Sequence, residues 1–251
     1  MRLRQVALAS RHLDQVIKAF EDVFGLKVAY NDPGVGHYGL RNAVLPVGAG
    51  FLEVVEPVRD DASAARFIAR RGDAGYMVIL QDADAEAHRS RLAAMGVRVV
   101  DDIDRRDYRA SHFHPADFGG VLASIDQQRS APDYLEPYGD WMPAGPDWRA
   151  ALSTDVIDLV SVTLASPDPE ALANRWSALL DLPLDPADGR RLPLARGEIR
   201  FTDGPQGQGT AVAAVGLTVA DRAEVLRRAE KAGLDVNADG ILIGGVRFAL
   251  A

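Results

Sequence analysis

The feature that most constrains this chain is an internal repeat. Leu8-Ala9-Ser10, an amphipathic helical stretch and Phe24-Gly25-Leu26 return as Leu164-Ala165-Ser166, a second helical stretch and Leu180-Asp181-Leu182. The offset from 8 to 164 equals that from 24 to 180. A constant offset across a whole strand–helix segment points to duplicated architecture.

The patterning extends the repeat to four modules of order β-α-β-β-β. In the first, residues 3–10 read as a strand, and Leu13, Val16, Ile17, Phe20, Val23 and Phe24 fall at helical spacing. Gly25 suits a left-handed helix terminus, and strands are expected at Lys27–Tyr30, Gly39–Pro46 and Gly50–Glu56. The second module predicts a strand at Tyr76–Gln81, a helix over Ala85–Met95, and strands near Val97–Asp101, Tyr108–His114 and Gly120–Asp126. A third starts near Ile157, with a helix over Pro169–Leu180 and strands at Arg191–Ala195 and Glu198–Thr202. The fourth starts near Ala213, with a helix over Arg222–Ala232 and a last strand at Val246–Leu250.

Modules two and four keep one offset at Leu80/Leu217, Gly96/Gly233 and Val99/Val236. The closing Gly119-Gly120-Val121 returns about 12 residues early as Gly244-Gly245-Val246, which predicts a shortened hairpin there. Residues 127–155 break the rhythm with Pro132, Pro137, Pro143 and Pro146 among Tyr134, Tyr138, Trp141 and Trp148. The prolines exclude regular elements and the aromatics argue against a disordered tether. An ordered connector results, which either caps a pocket or packs between domains. The expected division is therefore 1–126, a connector 127–155, and 156–251.

Composition narrows the function classes. A formal net charge of −8 speaks against non-specific nucleic-acid binding, which needs Lys and Arg to neutralise phosphates. With no cysteine, disulfides, thiolate metal sites and cysteine nucleophiles are excluded. The N-terminus runs straight into a strand pattern, and no apolar run approaches the roughly 18 residues of a membrane span. A cytoplasmic protein with a small-molecule partner, and neither nucleic acid nor membrane, is the expectation.

Four β-α-β-β-β modules resemble the vicinal oxygen chelate superfamily, which includes glyoxalase I, methylmalonyl-CoA epimerase, extradiol dioxygenases and bleomycin-binding proteins. The resemblance rests on Arg2-Leu3-Arg4-Gln5-Val6-Ala7-Leu8, Phe51-Leu52-Glu53-Val54-Val55 and His114-Pro115-Ala116-Asp117-Phe118-Gly119-Gly120-Val121-Leu122. It implies an α+β fold: four βαβββ modules in two paired glyoxalase-like domains whose curled mixed sheets form cups. It also implies one divalent metal ion, of identity the sequence leaves open, and a homodimer, the family's frequent assembly. By the resemblance, the metal-ligand places in the N-terminal cup hold Gln5, Glu53, Tyr76 and Ser124. Gln5 and Glu53 are acceptable metal ligands. Tyr76 stands where the family usually has His and Ser124 where it usually has Glu. In the second pair the places hold Ser161, Arg200, Ala214 and Ala249, none a credible ligand.

Strand alternation puts Leu3, Gln5 and Ala7 on one face and Arg4, Val6 and Leu8 on the other. Glu53, between Leu52 and Val54, is costly to bury unless paired or bound. It is read as base or metal ligand, against a sheet-edge glutamate that reaches water or Arg41. His112 and His114 flank Phe113 and share a face, where such a pair can share a metal or line a pocket; His112 is a candidate for acid–base duty or substrate contact and His114 for substrate contact, against plain packing. His37 sits in the loop Pro33–Gly39, and Arg41 and Asn42 follow as candidate hydrogen-bonding residues for a carbonyl or carboxylate substrate, as do Tyr76 and Ser124. His12 and His88 read as helix-surface residues.

The expected function is a glyoxalase- or epimerase-like lyase or isomerase acting on a small carbonyl or oxyacid substrate. Glu53 would abstract a proton and a metal or hydrogen-bond donors would stabilise the enediolate. A metal-free variant using Tyr76, His112 and Arg41 stands beside it. The alternative is a non-catalytic binding protein of the bleomycin-resistance kind, and a ring-cleavage dioxygenase is third.

Overall fold

A computed structural model describes residues 1–131 and 133–251; the connector's Pro132 lies outside the described residues. The chain begins with strand β1 (Arg2–Ala9), helix α1 (Leu13–Phe24), β2 (Leu40–Val47), β3 (Gly50–Pro57) and α2 (Ser63–Arg71). It continues through β4 (Ala74–Gln81), α3 (Ala85–Ala94), β5 (Val99–Arg105), β6 (Tyr108–Phe113) and β7 (Leu122–Gln128). After the connector come β8 (Val156–Ser166), α4 (Pro169–Leu180), β9 (Arg191–Pro193) and β10 (Glu198–Asp203). The last elements are β11 (Ala211–Val219), α5 (Arg222–Lys231), β12 (Val236–Asn237), β13 (Gly240–Ile243) and β14 (Val246–Leu250). The fold is α+β. Among the described residues no helix is long and apolar enough to cross a membrane.

Each module is a small mixed sheet. In the first, β1 runs parallel to β3, and β2 antiparallel to β3. In the second, β4 pairs parallel with β7, and β7–β6–β5 form an antiparallel meander. The third pairs β8 parallel with β10, which carries β9 at its other edge. The fourth pairs β11 parallel with β14, and the early return of Gly244-Gly245 leaves only the short β12–β13 hairpin. The duplicated helix ends also agree in backbone. Gly25 and its counterpart Asp181 are both left-handed, at φ 61° and 56°.

Two differences from the sequence reading matter. Lys27–Tyr30 forms no strand; Ala29 and Tyr30 instead hydrogen-bond to Val44 as a loop edging β2. Helix α2 had no sequence signal as strong as its neighbours. It buries only Ala64, Ala65 and Ile68, a short apolar stripe among arginines.

Compact packing regroups the modules. One unit contains Met1–Arg4, Met77–Asp140 and Ser161–Ala213; the other contains Gln5–Tyr76, Trp141–Val160 and Ala214–Ala251. The divisions 1–126 and 156–251 follow the repeat, whereas the units join module two to three and module one to four. The reason is helix packing. In the second unit α1 lies against α5, and Phe20 and Phe24 meet Phe248 at ring distances of 5.1 and 6.0 Å. In the first unit α4 packs on the 3-10 turn Pro115–Phe118, and the Trp176 indole N–H donates to the Phe118 carbonyl at 3.1 Å.

The connector is ordered in both units. In the first, buried Arg2 donates to the carbonyls of Tyr134 and Glu136, and buried Arg4 to those of Pro137 and Gly139. In the second, Trp141 stacks on Phe51 and Trp148 meets the same ring edge-on.

Candidate active site

In the second unit, strand register decides what meets Glu53. Gln5 pairs with Phe51, Ala7 with Glu53, and Val44 with Glu53 from the other side. Paired residues project to one face, so Gln5, Glu53, Val44 and Asn42 share a face. Arg41 lies on the opposite face, where it pairs with Glu56 on β3 and with Asp14 on α1 at 2.9 Å. That contact identifies the helix side of the sheet. Glu53 faces away from it, and Arg41 is not its partner.

Glu53 is 8% exposed, with Gln5 and Asn42 more deeply buried. Gln5 Nε2 donates to Glu53 Oε2 at 2.8 Å, and Asn42 Nδ2 donates to Oε1 at 2.6 Å. Each amide is held from behind. The Trp141 indole N–H donates to Gln5 Oε1 at 2.8 Å, and the Asp32 backbone N–H to Asn42 Oδ1 at 2.8 Å. Burial pushes the Glu53 carboxyl above the usual range, and the nearby Asp32 charge adds to this; the two amide hydrogen bonds pull it back in part. Tyr76 is half-buried against Phe67, raised by burial and further by the Glu53 charge. An open cleft of about 480 Å³ borders Asn42, lined also by Asp14, Asn31, Asp32, Pro33 and Arg41. His37 lies in the exposed 3-10 turn beside it in sequence, its ring against Tyr38.

The first unit holds the remaining candidates. His112 pairs across β6–β7 with Ser124, and its Nδ1 stands 3.8 Å from Asp101. Burial lowers its pKa, with the charges of Asp101 and Asp102 opposing. His114 Nδ1 accepts the Ala116 N–H at 3.2 Å, which makes it the cap of the turn Pro115–Phe118. Ser124 donates to Asp126 and stands 3.2 Å from the Ser111 carbonyl. Tyr108 donates to the other Asp126 oxygen. Sequence reasoning missed Asp126. The signal was Ser124-Ile125-Asp126, an i, i+2 pair on one strand face. Burial raises Asp126 to about 7, against the pull of its two hydroxyl partners. His88, read as a surface residue, is half-buried with Nε2 3.5 Å from Asp82.

The register also relocates the third ligand place. In three modules the first-strand place sits two residues before the partner of the last-strand place. Glu53 pairs with Ala7, Arg200 with Thr163 and Ala249 with Gly216, two beyond Gln5, Ser161 and Ala214. Ser124 pairs with Ile79, so the equivalent place is Met77. Tyr76 falls one residue short, and a one-residue slip on a strand changes face. The offset linking Leu80 to Leu217 already matched Met77 with Ala214.

In neither unit do the candidate residues by themselves fit a divalent metal. Gln5 turns its carbonyl oxygen to Trp141 and its N–H to Glu53, so the two do not present converging oxygens. Met77 offers a soft thioether, and the Ser124 hydroxyl is a neutral donor engaged by Asp126. Among the described residues no three His, Cys, Asp or Glu side chains cluster as ligands.

The fold has known counterparts. The glyoxalase-like domain family matches residues 6–180. A search of curated proteins found no match. Among solved structures, a variant of 4-hydroxymandelate synthase from Streptomyces coelicolor is 17% identical over 93% of this chain and 75% of its own, with a TM-score of 0.66. Methylmalonyl-CoA epimerase from Streptomyces coelicolor is 25% identical over 51% of this chain and 97% of its own, at a TM-score of 0.47. The epimerase from Mycobacterium tuberculosis is 27% identical over 50% and 87%, at 0.46. The chain belongs to the glyoxalase-like domain family. Its solved neighbours named here are enzymes, an epimerase and a synthase.

Proposed function

We propose that the chain is a glyoxalase- or epimerase-type isomerase or lyase in which Glu53 removes a proton beside a carbonyl of a small substrate. One observation carries this reading: a buried carboxylate whose two oxygens are both held by amide N–H groups. A carboxamide donates readily but is a very weak base, so Glu53 alone in this cluster can take up a proton. Burial raises its basicity, which favours proton uptake. The C–H bond breaks, its electron pair moves into the enediolate, and Glu53 returns the proton to the same or the neighbouring carbon. N–H donors aimed at the developing oxyanion would supply the stabilisation. Gln5 and Asn42 hold the base still while its charge changes.

The test is proton exchange in deuterium oxide, followed by proton NMR on methylglyoxal–glutathione hemithioacetal and on short 2-substituted acyl thioesters. Loss of the substrate proton with wild type, and its retention with Glu53→Gln, supports the reading. One observation favours the alternative of a non-catalytic small-molecule binding protein: Trp141 and Phe51 stack beside Gln5, and both Gln5 amide atoms already have partners. Binding of a probe without exchange of any proton would decide for that reading.

A further inference from the structure

We infer that Trp141, a residue of the connector outside the repeated modules, is a positioning residue that locks the Gln5 carboxamide with its N–H towards Glu53. The inference rests on Glu53 being the functional acid, and it concerns how that acid is kept in its working state.

The argument turns on what each group can do. A carboxamide has nearly the same shape in its two orientations, so contacts must select one. An indole N–H only donates. With Trp141 Nε1 at 2.8 Å, the Gln5 atom facing it is the carbonyl oxygen, and Nε2 is left for Glu53. Turning the amide over would set two N–H groups against each other at the indole. It would also set two oxygens against each other at the carboxylate. Gln5 is 1% exposed, so water is poorly placed to relieve either clash. Trp141 is equally buried and is held by its stack on Phe51, with ring centroids 6.3 Å apart and planes inclined by 16°.

Asn42 is locked in the same sense by the Asp32 backbone N–H. Both side chains around Glu53 are thereby fixed as donors. Neither can turn to accept a proton that Glu53 has gained, so the protonated acid finds no partner in them and is disposed to pass the proton on. The first module contains the acid and both amides; the group that orients the Gln5 amide comes from the connector.

The experiment is Trp141→Phe, which keeps a ring over Phe51 and removes the donor. The readout is the side-chain amide signal of Gln5 in nitrogen–proton NMR, and it needs no substrate. In wild type the Gln5 N–H held by Glu53 should exchange slowly with solvent. In Trp141→Phe its protection should fall by about tenfold, the equivalent of one ordinary hydrogen bond. An unchanged Gln5 signal overturns the proposal. Should Trp141→Phe fail to fold, Gln5→Leu reports from the other end. The Trp141 indole N–H should then move upfield and exchange faster, and an unmoved indole signal overturns the proposal. Failure of the base reading looks different. Glu53→Gln would leave proton exchange on the substrate intact while the response of Gln5 to Trp141→Phe persisted.

Discussion

Two buried carboxyl groups, one in each unit, are held by opposite chemistry. Glu53 is gripped by two amide N–H groups that are themselves pinned, and Asp126 by two hydroxyls, Ser124 and Tyr108. Hydroxyl protons rotate, and the oxygens behind them accept as well as donate. A proton on Asp126 can therefore be accommodated, and its carboxyl is raised to about 7 by burial at 1% exposure. A proton on Glu53 meets only fixed donors. Burial alone thus does not make a base; the neighbours decide whether a captured proton stays. The two carboxyls therefore differ in what a captured proton would meet: hydroxyls at Asp126, fixed amide donors at Glu53.

The largest expected effect separates the two acids by activity. Glu53→Gln should lower substrate proton exchange by roughly 10²–10⁴-fold, whereas Asp126→Asn should leave it within a few-fold of wild type. Equal losses from both variants would erase the distinction.

Next comes the pH dependence of stability. The folded value of Asp126, about 7, lies above its ordinary 3.8, so the unfolded chain gives up this proton first. The contribution is complete below about pH 4 and is lost as pH rises through 7, by up to about 4 kcal/mol. Urea melts of wild type should show this fall and those of Asp126→Asn should not. A fall of the same size in both would assign it elsewhere.

A smaller contrast compares single partners. Asn42→Ala takes a donor from Glu53 and an acceptor from the Asp32 N–H, and should cost about 2 kcal/mol. Tyr108→Phe takes a hydroxyl from a neutral acid and should cost about 1 kcal/mol at pH 5. The order would reverse if Asp126 were the ionised group. The weakest effect tests the register. Met77→His with Ser124→Glu should create measurable nickel affinity by titration calorimetry, and Tyr76→His with Ser124→Glu should not, since Met77 shares the face of Ser124.

Much of the fold was legible because it is periodic. The helix Pro169–Leu180 and the strand Val246–Leu250 lie where spacing places them. Lys27–Tyr30 misled because it has strand-like residues whose hydrogen bonds go to one short stretch of β2. Glu53 stood out as an acid inside an apolar strand, and alternation set it apart from Leu52 and Val54; the register with β1 and the Arg41–Asp14 contact then placed it away from α1.

What the amino-acid order determined was local: four strand–helix modules, their stops, and an acid and a glutamine on strands of known parity. Tertiary structure decided which modules pack together, because burial of Phe20 and Phe24 of α1 against Phe248 of β14 joins segments far apart in the chain. It also decided that Trp141, 136 residues from Gln5, faces it and sets the direction of its amide. Periodicity encodes which face a residue occupies; it carries no information about which distant side chain will meet it there.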